Sequence, residues 1–143
     1  MRVASVQEAK SLDARSQSEF GLSADSLMET AGRLTALEIS NTFAKELTQG
    51  AVVFAFGHGH NGGDGLVVAR YLHEQGHRIR TVKVGSSELA PLTEMQFARC
   101  EELCITNLTR FDLTGVSLIV DAIFGIGLTR APEGEVKSVI EQM

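Results

Sequence analysis

Apolar positions along the chain alternate between helical spacing and short continuous runs, and that alternation predicts the elements. Ser5-Val6-Gln7-Glu8 has the form of a capping box and predicts a helix to about Phe20, where Gly21 stops it. Ser26-Leu27-Met28-Glu29 offers a second box. Leu27, Ala31, Leu34 and Leu37 follow at helical spacing, so a second helix is expected to extend toward Leu47. After Gln49-Gly50, the run from Ala51 to Phe56 predicts a buried strand. A glycine-rich stretch comes next, then the helical pattern Leu66–Leu72, closed near Gly76. His77–Val84 predicts another strand, and Pro91 opens a helix that should end near Cys104. Val116–Val120 predicts a third strand, Asp121 through Gly134 a loop, and Glu135–Met143 the start of a last helix.

Two helices followed by strands alternating with helices imply crossover connections and a parallel sheet with helices on both faces. No repeat, low-complexity tract or linker interrupts residues 1–143, which predicts one α/β domain. The chain stops inside its last predicted helix, so a fragment, or a sheet awaiting its final strands, is expected. A hydrophobic content of 43% and a charged content of 22% fit a globular protein. The net charge of −5, without a Lys/Arg cluster, argues against nucleic acid as the partner. No apolar run reaches the length of a membrane span, and the start Met1–Glu8 lacks a signal-peptide core. Cys100 and Cys104 fall on one helix face, are expected as core or half-buried thiols, and suggest a cytoplasmic setting.

Candidate chemistry concentrates in two segments that should leave the same sheet edge. The first is Gly57-His58-Gly59-His60-Asn61-Gly62-Gly63-Asp64-Gly65, with five glycines in nine positions. Between a strand and a helix such a stretch predicts an anion cradle of backbone N–H groups. The second is Asp121–Gly134, in which Gly125-Ile126-Gly127-Leu128-Thr129-Arg130 repeats the close-approach pattern with one cation. Arg130 reads equally as a phosphate ligand or a solvated side chain. In open parallel sheets, ligands bind outside the carboxyl ends of the strands. That places Asn61 and Asp64 toward the edge carrying Asp121, whose partner is expected to be a cation, a hydrogen-bond donor or its own loop. Gly57, Gly59 and Gly62 satisfy G-x-G-x-x-G, but the acidic residue that a classical dinucleotide fold wants at the next strand end is missing. That strand runs Lys83-Val84-Gly85-Ser86, and the first carboxylate is Glu88. His58-x-His60 has no further ligand near it in sequence for a metal pair.

The stretch Gly57-x-Gly59-x-Asn61-Gly62-Gly63-Asp64-Gly65-Leu66-Val67-x-Ala69-Arg70-x-Leu72 resembles the signature of the NAD(P)H-hydrate epimerase family, the YjeF N-terminal type of domain. Asp121-Ala122-Ile123-Phe124-Gly125-x-Gly127-Leu128 and Leu27-Met28-Glu29-x-Ala31-Gly32-Arg33 are similar to two further motifs of that family. The resemblance implies a Rossmann-like fold, interconversion of the R and S forms of hydrated NADH and NADPH (NADHX and NADPHX), and a potassium ion. By position, Asn61 and Asp121 are implied as potassium ligands. Asp121 is also the best placed carboxylate for catalysis, either through direct proton transfer or by positioning the potassium. Two segments are implied to hold substrate: His60, Asn61, Gly62, Gly63 and Asp64, and Gly125, Ile126, Gly127, Leu128, Thr129, Arg130 and Ala131. A homodimer and a fused or separate hydrate dehydratase are further expectations. His60 and Thr30 stand where the family has Asn, and the sequence ends before the family's later Val-Asp-x-Pro-Ser-Gly motif. A non-catalytic nucleotide-binding or dimerisation module is the alternative, and an NAD-dependent oxidoreductase a more distant one.

Overall fold

The structure, a computed structural model, describes residues 4–143. Met1–Val3, the first part of the N-terminus read as lacking a signal peptide, lie outside the described residues. Helix α1 (Val6–Phe20) opens on the expected capping box: Glu8 N–H donates to Ser5 Oγ at 3.3 Å, and Ser5 N–H donates to Glu8 Oε2 at 2.8 Å. Helix α2 (Ala24–Thr42) starts three residues earlier than its sequence suggests. The hydroxyl of Ser23 accepts the N–H of Ser26 at 3.0 Å, so Ser26 sits inside the first turn instead of capping it. The helix also stops at Thr42, short of Leu47; a separate turn, α3 (Glu46–Gln49), carries Leu47 into the core.

Strand β1 (Ala51–Phe56) is fully buried and central. It is followed by α4 (His60–Glu74), β2 (Ile79–Lys83), α5 (Pro91–Glu102), β3 (Thr106–Leu108), β4 (Val116–Ala122) and α6 (Gly134–Ile140). The sheet is wholly parallel with order β3-β2-β1-β4. Successive residues of β1 serve opposite layers, as the two-residue period of a strand requires. Val52, Phe54 and Phe56 pack with Leu66 and Leu72 of α4 and Cys100 of α5, while Val53 and Ala55 pack with Val82, Ile123 and Val139 of α6. From β1 the chain crosses to β2 on one side and β4 arrives on the other, so the connections diverge between β1 and β4.

Three expectations need correction. Strand β3 was not predicted, because Thr106-Asn107-Leu108 is too short and too polar to show a period. Strand β4 runs two residues beyond Val120, so Asp121 is a strand residue paired with Ala55 and not the first of a loop. Cys104 lies past the end of α5 and is exposed, while Cys100 is buried with its thiol pushed up to about 12 by desolvation. Cys104 holds a left-handed φ of 57°, closing the helix with its N–H on Glu101 O at 2.9 Å and Ile105 N–H on Cys100 O at 3.1 Å. Cys104→Gly is therefore expected to raise stability by about 0.5–1 kcal/mol, read as a higher urea midpoint at unchanged m.

Candidate active site

The glycine-rich stretch is mostly helix. Only Gly57-His58-Gly59 is loop, and α4 begins at His60 with Gly59 as its N-cap. Tertiary packing explains a helix rich in glycine. A Cβ on Gly62 would fall under 3.0 Å from the carbonyl of Gly57, and one on Gly57 under 3.0 Å from the carbonyl of Ile123. The helix N-terminus thus sits directly on its own loop, and that loop on the end of β4. The loop is fastened on three sides: Gly57 N–H donates to Ala122 O at 3.1 Å, Ala90 N–H to His58 O at 2.9 Å, and Thr93 Oγ1 to Gly59 O at 2.9 Å. Its donors are left over. The N–H groups of His58, Gly59, His60 and Asn61 find no acceptor among the described residues, which is the arrangement of an anion cradle at a helix N-terminus.

Asn61 and Asp121 are brought together on one turn. Asn61 Nδ2 donates to Phe124 O at 3.0 Å, and Asp121 Oδ1 accepts the N–H of Ile123 at 2.9 Å. Each residue uses one side-chain atom to hold Ile123–Phe124 in place. Asn61 Oδ1 and Asp121 Oδ2 keep no protein partner among the described residues. Gly125 packs close against Asn61; a Cβ there would lie 3.1 Å from that of Asn61. Among the described residues no group of three or more His, Cys, Asp or Glu is spaced to hold a metal ion.

Beside this turn lies a cavity of about 310 Å³ over the carboxyl ends of β1, β2 and β4. Gly57, His58, Gly85, Ser87, Phe124 and Arg130 are among the residues lining it. Its volume is at the low end for a small-molecule site. Asn61 and Asp121 adjoin it through Ile123 and Phe124 without lining it. Of the second glycine segment, Leu128, Arg130 and Ala131 face the cavity; Ile126, Gly127 and Thr129 are exposed and do not.

His60 and Asp64 point elsewhere. One turn apart on α4, they open into a separate cleft of about 240 Å³ with Asp13 of α1 and Met28 of α2. Burial pushes the Asp64 carboxyl up to about 6; the His60 charge opposes this and that of Asp13 adds to it. Because the folded value lies above the ordinary 3.8, folding favours the protonated form. The contribution is fully present below about pH 4 and is lost as pH rises through about 6. Asp64→Asn is expected to flatten stability between those limits and to add about 1 kcal/mol at pH 7.5. That figure is discounted for the solvent the carboxyl still meets, and urea melts at both pH values check it.

Residues of the helix motif hold α4 in place. Glu29 pairs with Arg70 and with Arg99 at 2.9 Å. Asp25 pairs with Arg99 at 3.0 Å, and Gln96 bridges Arg70 and Asp25. Met28 packs on Gly63, and Gly32 on Val67. Thr30 donates its hydroxyl to Ser26 O at 2.9 Å within its own helix, away from the loop. This network was not foreseen; the four-residue spacing of Asp25 and Glu29 on α2 was its sequence signal.

Comparison with known families agrees with the geometry. Residues 24–143 match the family described as YjeF-related protein N-terminus. The chain belongs to that family. It is 33% identical to an NAD(P)H-hydrate epimerase of Elusimicrobium minutum, covering 96% of this chain and 65% of that protein. Against the NAD(P)H-hydrate epimerase of Lentilactobacillus buchneri the figures are 33%, 96% and 64%. A bifunctional NAD(P)H-hydrate repair enzyme Nnr of Thermofilum pendens is 31% identical over 99% of this chain and 28% of its own length. The chain thus spans just under two thirds of the first two relatives. The crystal structure of yeast ynu0 superposes with a TM-score of 0.86 at 26% identity, over 99% of this chain and 64% of that one. The α/β fold is therefore shared with this family, with Asn61 and Asp121 at its sheet edge. Among the described residues no helix is long and apolar enough to cross a membrane.

Proposed function

We propose that the protein interconverts the R and S forms of NADHX and NADPHX, as the names of its relatives suggest. The observation that carries this reading is the convergence of Asn61 and Asp121 on the Ile123–Phe124 turn, beside the run of free N–H groups that opens α4. Epimerisation at the hydroxylated ring carbon needs loss and return of hydroxide, or opening and closing of the ring. Either route needs a proton donor and acceptor and a way to hold charge. Asp121 is exposed at a strand end with one carboxylate oxygen free, and it takes the acid–base role. The N–H groups of His58 to Asn61 would take a phosphate of the dinucleotide, and the cavity a further part of it. The imidazole of His60 and the carboxyl of Asp64, which face the other cleft, would shape α4 without touching substrate.

A potassium ion belongs to the same proposal. Asn61 Oδ1 and Asp121 Oδ2, two oxygens without a partner among the described residues, belong to side chains that hold the same Ile123–Phe124 turn and are of the donor type a hard cation takes. Bound there, the ion would supply charge stabilisation and position Asp121. Homodimerisation is also proposed: Leu12, Phe20, Leu22, Leu34 and Leu37 are exposed on α1, α2 and the turn between them. Sedimentation velocity decides it. The free thiols suit a reducing, cytoplasmic setting, where a hydrate dehydratase, fused or separate, would consume the product.

The test is incubation of the full-length protein with racemic NADHX, resolving both epimers by chromatography while recording absorbance at the dihydronicotinamide band. Accelerated interconversion without absorbance change supports epimerisation. Nucleotide binding without interconversion would support a non-catalytic module, and an absorbance change would support hydride transfer.

A further inference from the structure

We infer that the cavity beside the active turn receives a phosphorylated adenosine ribose, so that the protein prefers NADPHX to NADHX. The inference rests on the epimerase reading for its substrate and on the cavity for its selectivity. A dinucleotide fold that takes the unphosphorylated ribose places a carboxylate at the end of the second strand, where it accepts from the 2′-hydroxyl. That carboxylate also repels a 2′-phosphate.

Here β2 ends at Lys83 and continues Val84-Gly85-Ser86-Ser87, and no carboxylate occurs before Glu88. Gly85, at a φ of 89°, turns the chain so that it and Ser87 line the cavity. Such a backbone conformation is strained for a side chain, so the turn two residues past the strand is held by a residue with no charge to offer. Arg130 lines the same cavity and makes no ion pair among the described residues. A free guanidinium with a hydroxyl and the His58 ring is a donor set for a phosphate monoester. Glu133 also lines the cavity, and its charge works against the phosphate. The placement is consistent along the dinucleotide: the adenosine half lies toward β2, and the reacting ring toward Asn61 and Asp121 at β4.

The full-length protein should therefore show kcat/KM for NADPHX above that for NADHX by about tenfold, the scale of one charge-assisted hydrogen bond. Arg130→Ala should lower the NADPHX value by more than the NADHX value, so that the preference disappears. Ser87→Asp should invert the preference, and Glu133→Gln should widen it. Equal kcat/KM values in the unmodified protein, or equal losses for both substrates in Arg130→Ala, would overturn the inference while leaving epimerisation intact. Calorimetric titration with NADP+ and NAD+ separates the two ideas. Tighter NADP+ binding that Arg130→Ala abolishes upholds the cavity assignment even if no epimerisation occurs, and equal binding of the two refutes it.

Discussion

Gly62→Ala is expected to destabilise the protein by about 3–5 kcal/mol, a large share of the stability of a domain this size. The added methyl would meet the carbonyl carbon and oxygen of Gly57, which are backbone atoms and not the end of a flexible side chain. Gly57 cannot retreat. Its N–H is bonded to Ala122 O, and it already lies against the carbonyl of Ile123. Relief therefore requires α4 to lift away from β1 and β4, which would open the contacts of Leu66 and Leu72 with the β1 side chains. Gly59→Ala is the control: a Cβ there meets nothing within 4 Å, and its φ of −86° suits any residue. Its urea midpoint should fall by less than the equivalent of about 1 kcal/mol. Similar midpoints for the two variants would contradict the close packing of α4 on its own loop.

Asp121→Ala is expected to lower epimerisation by about 10³-fold or more, within the range of a lost general acid–base group or charge-stabilising contact. Its effect on folding should be small, about 1 kcal/mol, since it removes one half-exposed hydrogen bond to Ile123 N–H. The carboxylate has two jobs in this account, and Asp121→Asn separates them. The amide oxygen can still accept from Ile123 and keep the turn, but it carries no charge and takes up no proton at neutral pH. Loss of turnover in both variants, with near-native urea melts, supports the chemical role. Activity retained in Asp121→Asn would reduce Asp121 to a turn residue.

The layer order, the buried strand β1 and the glycine signature were legible because buried strands and helix stops leave strong local patterns. What stayed hidden depends on contacts between segments. Residues His60 to Gly65 read as loop because glycine is a poor helix former, and only the packing of Gly62 on Gly57 shows why they are helix. Once α4 starts at His60, the helical period turns Asn61 and Gly65 toward β4 and His60 and Asp64 toward α1 and α2. A contiguous motif is thereby split between two clefts. Ser23 and Ser26 are both acceptable caps in isolation, and β3 exists only because β2 offers it a partner. The convergence of Asn61 and Asp121 on one sheet edge was foreseeable from topology, since both lie where the connections of β1 and β4 diverge. The ion pairs that seat α4 were not, because they join α2, α4 and α5 across more than 40 positions of sequence for Glu29 and Arg70.

The central claim is that the turn shared by Asn61 and Asp121 works on the hydrated nicotinamide ring. Its most direct test starts the full-length protein on the pure R epimer of NADPHX, with potassium present, and follows the appearance of the S epimer by stereochemically resolved chromatography. The account predicts approach to the equilibrium mixture far faster than in buffer, and loss of that acceleration in Asp121→Asn. Conversion at the buffer rate, with the hydrate demonstrably bound, would contradict it.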